Sequence, residues 1–370
     1  MRKKFWAATF TLTGAIIGAG ILGLPYVFAQ SGFLIGLFWL IALGSIMIYV
    51  HLCIGEISLR TKGRHQLAGY AGQYLGKPGK VLMFFAMIFG IYSALLAYLV
   101  GEGQSLSKLF PGQVDPILLG IGFWIIMTLL LRRGLKGLKR IETYGVIAIV
   151  FLILGFFIKM FPQIQLSNLA VNTPANFAAP FGIVLFALLG FTTIPELRTE
   201  IRGSEKVLKK AIILGSLIPI VLYVIFSAVF IGVLGKDVTP VATLSFGPII
   251  TLLGIFTMLT SYFVLSFSLK DMFDYDLRLS KMNNFLFTSL IPLALYILVS
   301  IFDIISFSSI LAIGGVISGG LTGILVLLIN QKSKLQTRNG IEPEIKMPMN
   351  YFIIFVLSIL FIVGIVLQFV

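Results

Sequence analysis

The chain has 370 residues, 58% of them apolar and only 11% charged, with a formal net charge of +14 and a mean hydropathy of +1.04. A soluble chain carries roughly 25% charge, so this one has too little polar surface for a water-facing exterior. A soluble enzyme, a disordered chain and a nucleic-acid binder are excluded, and the single cysteine, Cys53, excludes a disulfide scaffold and a cysteine-based metal site.

A helix needs about 20 apolar residues to cross the hydrocarbon core. Continuous apolar runs occupy 6–28, 33–55, 81–101, 117–131, 144–161, 177–194, 211–234, 249–269, 285–301, 304–329 and 351–370, which predicts eleven transmembrane helices, the fourth and ninth short. Outer-membrane strands would alternate in polarity over about ten residues, and these runs do not. The basic Met1–Lys4 followed by an apolar run has the look of a secretory leader, but the run is too long and holds Gly14, Gly18, Gly20, Gly23 and Pro25, so it reads as the first span. With the N-terminus on the cytoplasmic side, 25 of the 28 lysines and arginines fall in inside loops, and the C-terminus lies outside. Only Lys108, Lys159 and Lys236 fall outside. The stretch 200–210 reads as a short amphipathic inside helix.

The first span is irregular. Gly14-Ala15-Ile16-Ile17-Gly18-Ala19-Gly20-Ile21-Leu22-Gly23-Leu24-Pro25 places four glycines in ten residues and closes on a proline. The G-x-G-x-x-G it contains is no dinucleotide fingerprint, because no strand precedes it and no crossover helix follows. Two readings stand: a G-x-x-x-G packing face, or a helix broken near mid-membrane. Unwound backbone at that depth must line a cavity or be buried in protein. A break would expose N–H groups suited to a carboxylate and C=O groups suited to a cation or an ammonium. The sixth span, Phe186-Ala187-Leu188-Leu189-Gly190-Phe191-Thr192-Thr193-Ile194-Pro195-Glu196, carries a matching interruption. The two lie five spans apart, as when five helices repeat with inverted topology.

The segments GAGILGLPYVFAQSGFLIGL (18–37), GFTTIPELRTEIRG (190–203) and TSYFVLSFSLKDMFDYD (260–276) resemble the hydroxy/aromatic amino acid permease and amino acid/auxin permease families of the amino acid–polyamine–organocation superfamily. The resemblance implies an all-α integral membrane protein, a single transporter domain over 1–370. It has a five-plus-five inverted repeat (about 6–161 and 177–329), discontinuous helices one and six, and an extra C-terminal helix over 351–370. It implies ion-coupled secondary uptake of neutral amino acids, aromatic ones among them, across the cytoplasmic membrane. The substrate carboxylate would meet backbone N–H groups near Gly18, Ala19, Gly20 and Ile21, and the ammonium would meet carbonyls near Ile16 and at Phe186, Ala187 and Leu188. Tyr98 and Tyr92 of span three are further candidates for gating or for the carboxylate. Adjacent hydroxyls at Thr260 and Ser261, facing carbonyls of Gly14 and Ile17, match a sodium site of the wider superfamily. They equally suit hydrogen bonds to their own helix. Sodium is the expected coupling ion and a proton the alternative. The expected partners are an amino acid and the lipid bilayer, with no organic cofactor. A passive facilitator or channel and a nutrient sensor on the same fold are the alternative functions.

Overall fold

The computed structural model describes residues 2–369 apart from 64, 111, 113, 134–137 and 337–342, and describes no side chains at 133, 138–144, 146 and 275–276. The basic positions Arg64, Lys136 and Arg338, and the side chains of Arg133, Lys139 and Arg140, therefore lie outside the described residues.

Among the described residues the regular elements are helices, with one isolated bridge between Gly32 and Asn172. In order the helices are α1 (Arg2–Ile16), α2 (Gly20–Ser31), α3 (Phe33–Arg60), α4 (Leu67–Leu109), α5 (Pro116–Arg133), α6 (Leu138–Met160), α7 (Leu166–Ala170), α8 (Pro180–Ala187), α9 (Ile194–Glu200) and α10 (Leu208–Leu234). There follow α11 (Pro248–Asp271), α12 (Lys281–Phe285), α13 (Ile291–Phe302), α14 (Phe307–Gly314), α15 (Gly320–Gln336) and α16 (Tyr351–Phe369). Among the described residues seven helices are long and apolar enough to cross a membrane, or eight when the bent pair α1/α2 counts as one span. The expected eleven is not reached on that test. The helices at Pro116–Arg132 and Ile147–Gln163 are shorter, and the sixth predicted span is divided into α8 and α9.

The third predicted span, 81–101, lies within α4, whose helix is interrupted at Gly76 (φ 75°). One expectation is corrected. The stretch 200–210 is not an amphipathic helix. It turns at Gly203 (φ 78°) and continues as a single 3-10 turn, Glu205–Val207, into α10. Glycine relieves the left-handed backbone there, and the turn overrides the helical tendency of the flanking lysines.

The basic segments gather at one end of the bundle. Lys4 Nζ donates to Arg202 O at 2.7 Å, and Arg198 Nη1 donates to Thr61 O at 2.9 Å and Gly63 O at 3.2 Å. Buried Glu56 of α3 pairs with Arg60 at 2.8 Å and Lys334 at 3.4 Å. It also accepts from Asn330 Nδ2 and from the Met347 N–H, at 3.1 and 3.0 Å. The segment leading to α16 is thereby pinned to α3. At the opposite end Thr173 N–H donates to Ser31 O at 2.8 Å, and Lys108 reaches Leu244 O and Phe246 O. α10 packs against α1, α2 and α3, and α4 against α11, α14 and α15. The two interrupted helices are enclosed between these groups.

Candidate functional site

α1 stops at Ile16 and α2 starts at Gly20, with their axes bent by 55°. Ile17 N–H still donates to Thr13 O at 3.0 Å, and Leu22 N–H closes a tight turn on Ala19 O at 2.9 Å. Gly20 and Ile21 open α2, so their N–H groups belong to a first turn that has no carbonyl of its own helix to bond. Ala19 N–H donates to the phenol oxygen of buried Tyr98 at 3.3 Å. At the second break, α8 stops at Ala187 and α9 resumes at Ile194. Leu188 N–H folds back on Val184 O and Leu185 O at 3.2 and 3.3 Å.

The breaks touch. A Cβ placed on Gly20 would lie 2.5 Å from Ala187 Cβ and closer still to its Cα, so only glycine permits this approach of backbone to backbone. Tyr223 of α10 ties them together. Its fully buried hydroxyl lies 2.8 Å from Ile16 O and 2.9 Å from Ala187 O. One phenol proton is shared between the carbonyls that end α1 and α8. Each carbonyl keeps a second lone pair for another donor.

Two small cavities flank the first break. One, of about 100 Å³, is lined by Ile16, Gly18, Gly20, Tyr98 and Phe186 together with apolar residues of α4. Of the nine predicted substrate positions these five reach its wall. Ala19, Ile21, Ala187 and Leu188 are buried but do not line it. The other, of about 120 Å³, is lined by Gly14, Ile17, Thr260 and Ser261, the four predicted ion positions, and by Glu196. Thr260 Oγ1 donates to Phe256 O at 3.1 Å and Thr257 O at 3.0 Å of its own helix. Its proton is thus spent locally, while its lone pairs stay free to accept. A Cβ on Gly18 would meet Tyr98 Oη at 2.8 Å and Ser261 Oγ at 3.6 Å, so both hydroxyls crowd the same turn. Oxygen donors without thiolate or imidazole suit a hard cation. Among the described residues no cluster of three or more His, Cys, Asp or Glu could hold a metal.

Tyr92 is a correction. Its hydroxyl donates to Phe287 O at 2.8 Å, and it lines neither cavity. Tyr223 was not singled out by the sequence: it is one of 12 tyrosines, in an apolar helix without other marks. Glu102, one turn beyond Tyr98, is fully buried, and neither carboxyl oxygen has a hydrogen-bond partner among the described residues.

The sequence matches the model of the tryptophan/tyrosine permease family over residues 1–243. It is 26% identical over 241 residues to tyrosine-specific transport system 1 of Haemophilus influenzae, covering 64% of this chain and 59% of that protein. The chain thus spans about three fifths of the length of that relative. It is 23% identical over 324 residues to glutamine transporter 2 of Aliivibrio fischeri, covering 79% of this chain and 81% of that protein. The fold is similar to that of MhsT, crystallised in complex with L-phenylalanine, with a TM-score of 0.72 at 14% identity over 98% of this chain and 97% of that one. These relatives are transporters, not enzymes.

Proposed function

The chain belongs to the tryptophan/tyrosine permease family, and on that premise we propose that it takes up neutral, aromatic amino acids across the cytoplasmic membrane by ion-coupled alternating access. The observation that carries this reading is the meeting of two interrupted helices at one cavity, with Tyr223 bridging their carbonyl ends.

The N–H of Gly20, at the positive end of α2, and the Tyr98 hydroxyl receive the substrate carboxylate on the cavity wall. The carbonyl of Ile16, at the negative end of α1, receives the ammonium on the cavity wall, and Tyr223 fixes its position relative to the Ala187 carbonyl that ends α8. These contacts read the zwitterion whatever the side chain, which extends along the apolar face of α4. Sodium occupies the second cavity, held by the carbonyls of Gly14 and Ile17 and the hydroxyls of Thr260 and Ser261. The two cavities share Ala15, Gly18 and Tyr98 in their walls, so filling either fixes backbone that the other uses. That shared backbone is the physical basis of coupling. Predicted spans one to five and six to ten form the inverted repeats, and one helix bundle rocks against a scaffold around the mid-membrane site. The basic end of the bundle faces the cytoplasm, supported by the Lys and Arg bias, which leaves the C-terminus outside.

The test is uptake by purified protein in proteoliposomes. Imposed inward sodium drives accumulation of tyrosine or tryptophan above equilibrium. If neither a sodium nor a proton gradient drives any amino acid inward, the reading fails. Accumulation on a proton gradient alone would keep the function and move the coupling ion.

A further inference from the structure

The α4 cavity has an end that the zwitterion does not use. Its wall away from the breaks is Met87, Gly90, Ile91 and Ala94 of α4, faced by two hydroxyls, Ser318 and Thr322. Gly90 and Ala94 are one turn apart and leave a flat apolar slot. Gly90 also lets Ser318 approach, since a Cβ there would lie 2.7 Å from Ser318 Cβ. Thr322 is 1% exposed, and its Oγ1 is buried with no hydrogen-bond partner among the described residues. A buried hydroxyl without a partner is costly and calls for an explanation at the place where it sits. Here that place is a cavity wall.

The depth of the hydroxyls follows from the helix. Gly315 packs against the last turns of α8, just before the second break, where a Cβ would meet Gly182 O and lie 2.7 Å from Phe186 N. Ser318 and Thr322 are three and seven residues further on, or roughly 4 and 10 Å along the axis. A phenol oxygen stands about 6 to 7 Å from its own Cα by ordinary bond lengths, between those two depths. A Thr or Ser hydroxyl both donates and accepts, so it can serve a phenol or an indole N–H.

We propose that Ser318 and Thr322 form a side-chain subsite that selects amino acids whose aromatic ring ends in a hydrogen-bonding group, phenol or indole, over phenylalanine and aliphatic amino acids. This rests on the proposed amino acid site and adds to it the residues that choose the side chain. Phenylalanine would fill the slot but leave the hydroxyls unpaired at its end. A site built to bond a polar group discriminates in this way against an analogue lacking it.

The experiment measures dissociation constants of tyrosine, phenylalanine and O-methyltyrosine on the purified full chain, wild type and variants. Wild type is expected to bind tyrosine about tenfold or more tightly than phenylalanine, equivalent to about 1.4 kcal/mol. O-methyltyrosine, which cannot donate and is bulkier, should fall with phenylalanine. Thr322→Val, nearly isosteric, should bring the tyrosine-to-phenylalanine ratio close to one by weakening tyrosine alone. Thr322→Ser should restore the ratio, and Ser318→Ala should lower it. Equal wild-type affinity for tyrosine and phenylalanine overturns the proposal without any variant, as does an unchanged ratio in both Thr322→Val and Ser318→Ala. In those outcomes amino acids still bind, so the transport reading survives. If no amino acid binds the wild type, both fall together.

Discussion

Replacing Tyr223 by phenylalanine removes one oxygen from the junction of the two breaks and leaves the ring's packing in place. The lost hydroxyl lies 2.8 and 2.9 Å from two buried carbonyls. A buried acceptor left without its partner costs about 1–3 kcal/mol. Because a single proton serves both carbonyls, the total is taken as about 1–3 kcal/mol rather than twice that. Part of this appears as lower stability. The rest appears in binding, because the Ile16 carbonyl that would meet the ammonium loses the tie that fixes it to the Ala187 carbonyl. A loss of about 1–1.4 kcal/mol there weakens tyrosine binding about five- to tenfold. The assay is KM and maximal rate for uptake in proteoliposomes, with the thermal midpoint in detergent beside them. Tyr296→Phe is the control: that hydroxyl donates to Pro116 O at 3.0 Å and lines neither of the two cavities at the break. It should cost similar stability and leave KM unchanged. The reasoning is refuted if Tyr223→Phe transports with the wild-type KM, or if Tyr296→Phe raises KM as much.

Gly20→Ala drives a methyl into the Ala187 backbone, where nothing flexible can yield. It should cost more than the roughly 1–3 kcal/mol of ordinary overpacking and abolish uptake. Gly18→Ala meets only the tip of Tyr98, so protein should still fold, and its thermal midpoint should sit well above that of Gly20→Ala. Thr260→Val with Ser261→Ala should remove the sodium dependence of substrate binding while leaving substrate affinity without sodium unchanged, read by thermal stabilisation at zero and saturating sodium. Glu56→Gln strips the partner from Arg60 and Lys334. Loss of one member of a buried pair costs about 3–5 kcal/mol; both cations here reach solvent, so roughly 2–3 kcal/mol is expected in the thermal midpoint.

What the sequence reveals of the site depends on how local the signal is. The first break is written in Gly14, Gly18, Gly20 and Pro25, and the second in Gly190 and Pro195, residue types that weaken a helix wherever they stand. The bend at 17–19 and the interruption at 188–193 follow from them. Tyr223 could not be read in the same way, because its partners are 207 and 36 residues away and a phenol in an apolar run leaves no pattern. Tyr92 and Tyr98 are alike in type and context. Six residues turn the helix by about 240°, which sends Tyr92 toward Phe287 and Tyr98 toward Ala19. Helix phase decides between them, and phase needs to be known relative to a neighbour. The hydroxyl pair Ser318 and Thr322 was invisible for the same reason: it becomes a feature only beside Gly90 and Phe186.

Loosened peptide groups at the two breaks hold both charged ends of the cargo in the proposed mechanism. The direct measurement is binding of three compounds with one ring: tyrosine, tyramine without its carboxylate, and 4-hydroxyphenylpropionate without its ammonium, each titrated by thermal stabilisation of the same protein. A hydrogen bond to a charged group is worth about 1.5–3 kcal/mol, so each analogue should bind at least about tenfold more weakly than tyrosine. Equal stabilisation by all three would mean that the breaks do not grip the zwitterion, and would contradict the account at its base.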